Sequence, residues 1–331
     1  MIYVHVPFCK SFCTYCDFYS ETVHDREDYC RYADQLCAEA ASRRTEIEET
    51  LQVPTLYIGG GTPSVLPLDI LERIVGALPY GPYREFTLEV NPDDVVSGGS
   101  AYAKGLLDLG VNRISMGVQS LSDHMLRWMN RRHDASAARK AFGILREAGF
   151  ENISLDLIFG LSHLGDDVLE ATLREMLSWK PEHISAYQLS IEEGSALCRL
   201  VAEGKYKEAS EEKCAAQYKL ICDILGGEGY HHYEISNWAV PGREAVHNSA
   251  YWTRSAYVGL GPGAHSLRGE DVRSWNSESL SGWTSSSEQL TPEEIREETL
   301  MLGLRTDKGV CGKVIPESDW FISDGIIAGL L

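Results

Sequence analysis

Tyr3-Val4-His5-Val6-Pro7-Phe8-Cys9-Lys10-Ser11-Phe12-Cys13-Thr14-Tyr15-Cys16-Asp17-Phe18 decides the reading of this chain. It begins as a β-branched, strand-like run, is interrupted by Pro7, and then carries three cysteines separated by three and by two residues. Three thiolates on one loop can fold round a cube of iron and sulfide and ligate three of its irons. The fourth iron stays open to a ligand with both an amino and a carboxylate group. A structural zinc site is the alternative, since zinc takes four protein ligands and the fourth could come from His5 or from a distant residue. The spacing alone leaves both open.

From Ile2 onward short β-rich runs alternate with longer helical ones, the pattern of repeated strand-helix units and a parallel sheet. Strands are predicted over 2–6, 55–59, 85–90, 113–117, 153–158 and 183–189, with helices over 26–48, 67–77, 101–109, 135–148 and 168–179. The fold class that follows is α/β, a partial (β/α)6 TIM-type barrel, with a small, mostly helical C-terminal domain. Reactive groups of such barrels gather at the carboxyl ends of the strands, whose loops surround one mouth. Cys9, Gly59 to Thr62, Glu89, Gln119 and Asp156 all fall at or just after such ends.

The rhythm changes beyond Glu192. A helix is expected over 210–225, an irregular Gly-, Trp- and Tyr-rich stretch over 229–274, and a polar loop over 277–289. Thr291-Pro292-Glu293-Glu294 then joins a capping threonine, a proline at the first helical position and a glutamate three residues after the cap, so a helix starts there. The expected divisions are a barrel over 1–190, a barrel extension over 191–276 and a C-terminal domain over 277–331.

With 331 residues and 44% hydrophobic content the chain can bury a large core. Its 49 acidic residues exceed 30 basic ones, and the net charge of -19 repels phosphate backbones and anionic lipid. Nucleic acid and membrane are poor partners for it. No run approaches eighteen apolar residues and residues 1–9 show no secretory leader, so a cytoplasmic protein is expected. Nine cysteines, an odd number, fit reduced thiols better than disulfides. Cys30, Cys37, Cys198, Cys214, Cys222 and Cys311 lack ligand spacing and read as packing residues.

The segment from Tyr3 to Phe18 closely resembles the radical S-adenosylmethionine superfamily. It is most similar to the branch that holds oxygen-independent coproporphyrinogen III dehydrogenase and the haem chaperone HemW family, and the resemblance extends over nearly the whole chain. It implies a 4Fe-4S cluster on Cys9, Cys13 and Cys16, with S-adenosylmethionine bound against it. Gly59-Gly60-Gly61-Thr62-Pro63 resembles the loop that meets the methionyl amino group, and glycines suit that role because their backbone can approach a ligand closely. By the same resemblance Gly61, Thr62, Glu89, Tyr3, Tyr15, Gln119, Arg131 and Asp156 contact the cofactor. Leu161-Ser162-His163 departs from the family's proline-containing turn.

Two features favour the chaperone side of the branch. The dehydrogenase carries another cysteine two positions after the third, where this chain has Phe18. His247-Asn248-Ser249-Ala250-Tyr251-Trp252 resembles the motif that holds haem in the chaperones, with His247 as iron ligand and Tyr251 and Trp252 against the macrocycle. His231 and His232 rank below His247 as competing ligands. The resemblance implies haem as cargo, recipient haemoproteins, an unnamed electron donor and a homodimer. The alternatives are oxidative decarboxylation of coproporphyrinogen III and a zinc-stabilised binding module. After Gly309-Val310 the tail reads as shortened by an internal deletion, while Trp320 to Asp324 looks like a family ending.

Overall fold

The structure, a computed structural model, describes residues 1–22, 24–79 and 81–331. Six strands, β1 (Ile2–Val6), β2 (Thr55–Gly60), β3 (Glu85–Val90), β4 (Arg113–Gln119), β5 (Ile153–Phe159) and β6 (His183–Gln188), pair in parallel, each with the next. The helices between them are α1 (Arg26–Ser42), α2 (Arg44–Glu49), α3 (Leu68–Ala77), α4 (Pro92–Asp108), α5 (Asp123–Trp128), α6 (Ala135–Ala148) and α7 (Asp166–Ser178). The partial α/β barrel expected from the sequence is the observed fold.

Local chemistry sets the boundaries. The long helix expected over 26–48 is two helices, because Arg43 leaves helical geometry at φ -104°, ψ 16°. Its guanidinium bonds Glu39, Glu46 and the carbonyl of Gly259 from that position. The helix expected over 101–109 begins at Pro92, where the Asn91 side chain caps the N–H of Asp93, and it kinks at Gly99, whose φ is +59°. At α6, Asp134 caps the start and Gly149, at φ +116°, ends the helix in the left-handed region.

After β6 come α8 (Ala196–Ala202), α9 (Glu211–Gly227), β7 (His231–Glu234), β8 (Asn237–Ala239), α10 (Val246–Trp252) and β9 (Val258–Leu260). The stretch 229–274 is therefore richer in strands than its Gly content suggested. β8 joins β6 and β7 joins β8, both antiparallel, while β9 runs parallel to β1. The nine-stranded sheet runs β7-β8-β6-β5-β4-β3-β2-β1-β9 and stays open. A separate antiparallel sheet holds β10 (His265–Arg268), β11 (Val272–Asn276) and β12 (Ser285–Gln289). The expected loop over 277–289 thus ends in a strand: β12 is exposed at all five positions and is held by backbone pairing to β11, so it has no apolar alternation to betray it. α11 (Pro292–Gly303) starts with the expected capping box, and α12 (Ser323–Ala328) follows a 3-10 turn over Glu317–Ile322.

Strand alternation puts the core on the outer face of the sheet. Ile2, Val4, Val6, Leu56, Ile58, Phe86, Leu88, Ile114, Met116, Leu155 and Leu157 are buried against the helices. Each contributes about 1.5–3 kcal/mol by leaving water. The inner face is polar, with Tyr3, His5, Tyr57, Glu89, Arg113, Ser115, Asp156, His183 and Tyr187. An interior of this kind is unlike the branched apolar layers that usually fill such a barrel, and it leaves room for a polar ligand.

Candidate functional site

The cysteine loop that follows β1 is pinned at both ends and in the middle. Cys9 N–H donates to Glu21 O at 3.0 Å and Glu21 N–H to Pro7 O at 2.7 Å. Thr14 N–H donates to Met129 O at 3.0 Å, the Thr14 hydroxyl to Trp128 O at 2.9 Å, and Asn130 Nδ2 to Phe12 O at 2.7 Å. The end of α5 and the turn after it, on the connection that follows β4, are therefore its scaffold. Opposite, the glycine loop is zipped to the same strand end: Gly61 N–H donates to Val6 O and Thr62 N–H to Phe8 O, both at 2.8 Å. A Cβ on Gly61 would stand 2.9 Å from each of those two carbonyl oxygens, so the close approach needs glycine.

A cavity of about 490 Å³ opens between these loops at the carboxyl ends of the strands. Cys9, Cys13, Cys16, Tyr15, Gly61, Thr62, Glu89, Gln119, Arg131 and Asp156 all lie on its wall. Tyr3 does not: its hydroxyl is 3.0 Å from His5 Nδ1. His5 Nε2 lies 2.9 Å from Tyr19 O, an acceptor, so Nε2 carries the proton and Nδ1 receives the Tyr3 hydroxyl. Tyr3 thereby braces the strand end beneath the cysteine loop.

The donor set fits an iron-sulfur cube better than a single ion. Ligand atoms of a mononuclear site crowd together, and among the described residues the one trio drawn within 4.8 Å is Cys222, His232 and Glu317, not Cys9, Cys13 and Cys16. Burial pushes the Cys9 thiol up and the Cys16 thiol to about 11, so ligation by iron is what would hold these sulfurs as thiolates. Cys9 Sγ also lies 3.3 Å from Thr62 Oγ1, and Arg131 Nη1 donates to Cys13 Sγ at 3.2 Å while Nη2 donates to Gly117 O at 2.8 Å.

Among the described residues, two buried polar atoms on the cavity wall have no partner, Gln119 Oε1 and Arg131 Nε. Such groups are costly unless a ligand satisfies them. Gln119 is held at φ +65° where the β4–β5 register shifts, so the chain bears strain to aim this side chain. Glu89 accepts the Tyr57 hydroxyl at 2.6 Å and Gly60 N–H at 3.2 Å, and burial raises its carboxyl to about 7. Burial raises Asp156, beside Ser115 at 3.3 Å, to about 6. Two buried acids near neutrality favour a cationic ligand, whose arrival ionises them.

The mouth depends on residues that sequence reading did not single out. Asp94 on α4 accepts from Lys10 Nζ at 2.7 Å, Arg132 Nη2 at 2.7 Å and Ser64 Oγ at 2.9 Å, joining the cysteine, glycine and β4 loops. Its one signal was an acidic residue in the first turn after Asn91-Pro92. His247, Tyr251 and Trp252 lie apart from the cavity, under the amino ends of the strands. Glu85 at the start of β3 accepts the N–H groups of Val246 and His247, at 2.6 and 3.0 Å, and so seats α10. His247 is fully buried, with Nδ1 2.8 Å from Thr55 Oγ1 and Nε2 2.9 Å from the Tyr251 hydroxyl. Burial lowers its imidazole to about 3. In this conformation both ring nitrogens of His247 are engaged.

Residues 3–176 match the family model of the radical SAM superfamily, and the chain belongs to that superfamily, a class defined by a 4Fe-4S cluster and S-adenosylmethionine. Within it the chain is 32% identical to heme chaperone HemW of Bacillus subtilis, over 99% of this chain and 89% of that protein. It is 38% identical to heme chaperone HemW of Lactococcus lactis, over 79% of this chain and 68% of that protein. The chain is a member of the HemW family. Among solved structures, coproporphyrinogen III oxidase (HemN) of Escherichia coli superposes with a TM-score of 0.77 at 21% identity, over 92% of this chain and 75% of that one, which shows the shared fold.

Proposed function

We propose that this protein is a haem chaperone, binding haem and passing it to recipient haem-binding proteins, with a 4Fe-4S cluster and S-adenosylmethionine in the barrel mouth. The carrying observation is the alignment with a heme chaperone over 99% of the chain. Phe18, 67% exposed and on the cavity wall, agrees with it, since it occupies the place of a further cysteine in the dehydrogenase.

Cys9, Cys13 and Cys16 would hold the cluster, which when bound supplies an electron and an open iron for the amino and carboxylate groups of S-adenosylmethionine. The Gly59–Thr62 backbone lets that cofactor approach, Glu89 and Asp156 offset its positive charge, and Gln119 and Arg131 gain the partners they lack. Haem ligation by His247 needs the Tyr251 hydroxyl to release Nε2 and α10 to leave its seat on Glu85. The acidic surface favours protein partners over nucleic acid or anionic lipid, and the cytoplasm as workplace belongs to the same proposal. Among the described residues no helix is long and apolar enough to cross a membrane.

Spectral titration with haem of the anaerobically reconstituted protein tests the reading, beside His247→Ala. Saturable binding that weakens at least tenfold in the variant supports it; equal affinity removes His247, and no binding removes the chaperone function. Protoporphyrin formed from coproporphyrinogen III at a catalytic rate, read by fluorescence, would make the protein an enzyme instead.

A further inference from the structure

Far along the chain from the cysteine loop, helix α9, strand β7 and the 3-10 turn before α12 converge on one polar spot. Cys222, His232 and Glu317 each offer one donor atom there, and the three atoms all lie within 4.8 Å of one another. Around a tetrahedral zinc ion with the usual bond lengths, N, O and S donors stand about 3.3–3.6 Å apart. His232 Nδ1 and Glu317 Oε1, now 2.7 Å apart, need only a small side-chain movement to admit an ion.

The hydrogen bonding around His232 is incomplete without one. Nδ1 faces the Glu317 carboxylate, and Nε2 lies 3.3 Å from the carbonyl oxygen of Ile235. Both neighbours are acceptors. A neutral imidazole has a single N–H, and the His232 side chain is 4% exposed, with burial holding it below its ordinary range. The Tyr218 hydroxyl lies 3.4 Å from Nε2, but its single proton is directed to the Ile235 carbonyl at 2.8 Å, so the ring gains at most a long, shared bond from it. One lone pair of the ring is therefore left against an oxygen or with only that long bond. A cation between Nδ1, the carboxylate and the sulfur removes the clash and lets Nε2–H donate to Ile235 O. Metal-bound histidines are oriented by such an outer hydrogen bond. The ring plane is fixed as well, stacked on Trp238 at 4.0 Å and met edge-on by Trp320 at 4.3 Å.

We propose that Cys222, His232 and Glu317 form a second metal site, which takes a divalent cation of the zinc class and clips the C-terminal segment to the barrel wall. The thiol proton of Cys222 goes to solvent on binding, and water completes the coordination, since three protein ligands leave one position open. Glu317 is 59% exposed on its side chain, which gives the ion a way in from solvent. The cysteine's place on α9, the histidine's on β7 and the glutamate's near the end of the chain make the clip join three segments distant in sequence.

The test uses the full chain with its iron-sulfur cluster reconstituted anaerobically, so that Cys9, Cys13 and Cys16 are engaged. After equilibrium dialysis against zinc, elemental analysis should find about one zinc per chain beyond the iron, and zinc should raise the thermal midpoint. Glu317→Gln alters an exposed group and keeps the fold. It should weaken zinc binding at least tenfold and abolish the thermal shift, with iron content unchanged, and Cys222→Ser should do the same. Zinc retention equal in wild type and both variants would overturn the proposal. So would no retained zinc in the wild type, which would leave His232 and Glu317 as a simple hydrogen-bonded pair.

Discussion

Replacing Asp94 by asparagine should loosen the barrel mouth without touching a cysteine. The carboxylate is almost wholly buried, with 3% of its side chain exposed, and is held below the usual carboxylate range by Arg132 and Lys10 against the opposing effect of burial. Arg132, 14% exposed, places Nη1 3.0 Å and Nη2 2.7 Å from its two oxygens. Removing one member of a buried pair costs about 3–5 kcal/mol, because the other charge is stranded. Lys10 is 47% exposed and adds about 0–1 kcal/mol. Asp93 remains beside Arg132 at 3.1 Å but is itself 42% exposed, so it recovers only a part. The net loss is about 4 kcal/mol at neutral pH. Since the carboxyl is depressed in the folded state, its contribution is present above the ordinary aspartate range and disappears as pH falls through the folded value, so wild type and variant converge in acid. With a urea slope of about 3 kcal/mol/M for a chain of this size, the midpoint should drop by about 1 M. Iron retention on gel filtration should fall too, because Asp94 ties the cysteine loop to its neighbours. A midpoint shift below about 0.3 M with unchanged iron would refute the reasoning.

Gly61→Ala puts a methyl group against two backbone oxygens and should weaken S-adenosylmethionine binding by tenfold or more, about 1.4 kcal/mol, in calorimetry on the cluster-loaded protein. Glu89 is raised to about 7, so its ionised fraction falls from about 0.9 at pH 8 to about 0.1 at pH 6. If the carboxylate is the form that binds, affinity should drop about tenfold over that interval, and Glu89→Gln should flatten the profile. Arg131→Lys cannot bond Cys13 Sγ and Gly117 O together, and loss of the donor to sulfur should move the cluster's reduction potential to more negative values, read by potentiometric titration.

The barrel was legible because β-branched runs with turn residues and amphipathic helices repeat along the first half of the chain. The convergence of Cys9, Gly61, Glu89, Gln119 and Asp156 followed from their positions at strand ends. Asp94 was not legible, because its worth lies in partners 84 and 38 residues away, Lys10 and Arg132. The burial of His247 was equally hidden: α10 is seated by Thr55 and Glu85 on two strands distant in sequence, and a motif says nothing of what packs over it. β12 escaped because a fully exposed strand made of serines and polar residues has no apolar period. The start of α4 at Asn91-Pro92 carried a readable cap and proline, but Gly98 and Gly99 interrupted the helical pattern behind them.

Electron paramagnetic resonance of the anaerobically reconstituted and reduced protein, with and without S-adenosylmethionine, tests the mouth of the barrel most directly, with iron and sulfide measured on the same sample. About four iron and four sulfide per chain, and a cluster signal that changes when S-adenosylmethionine is added, are the expected result. A colourless protein without iron, or a cluster whose signal ignores S-adenosylmethionine, would contradict it.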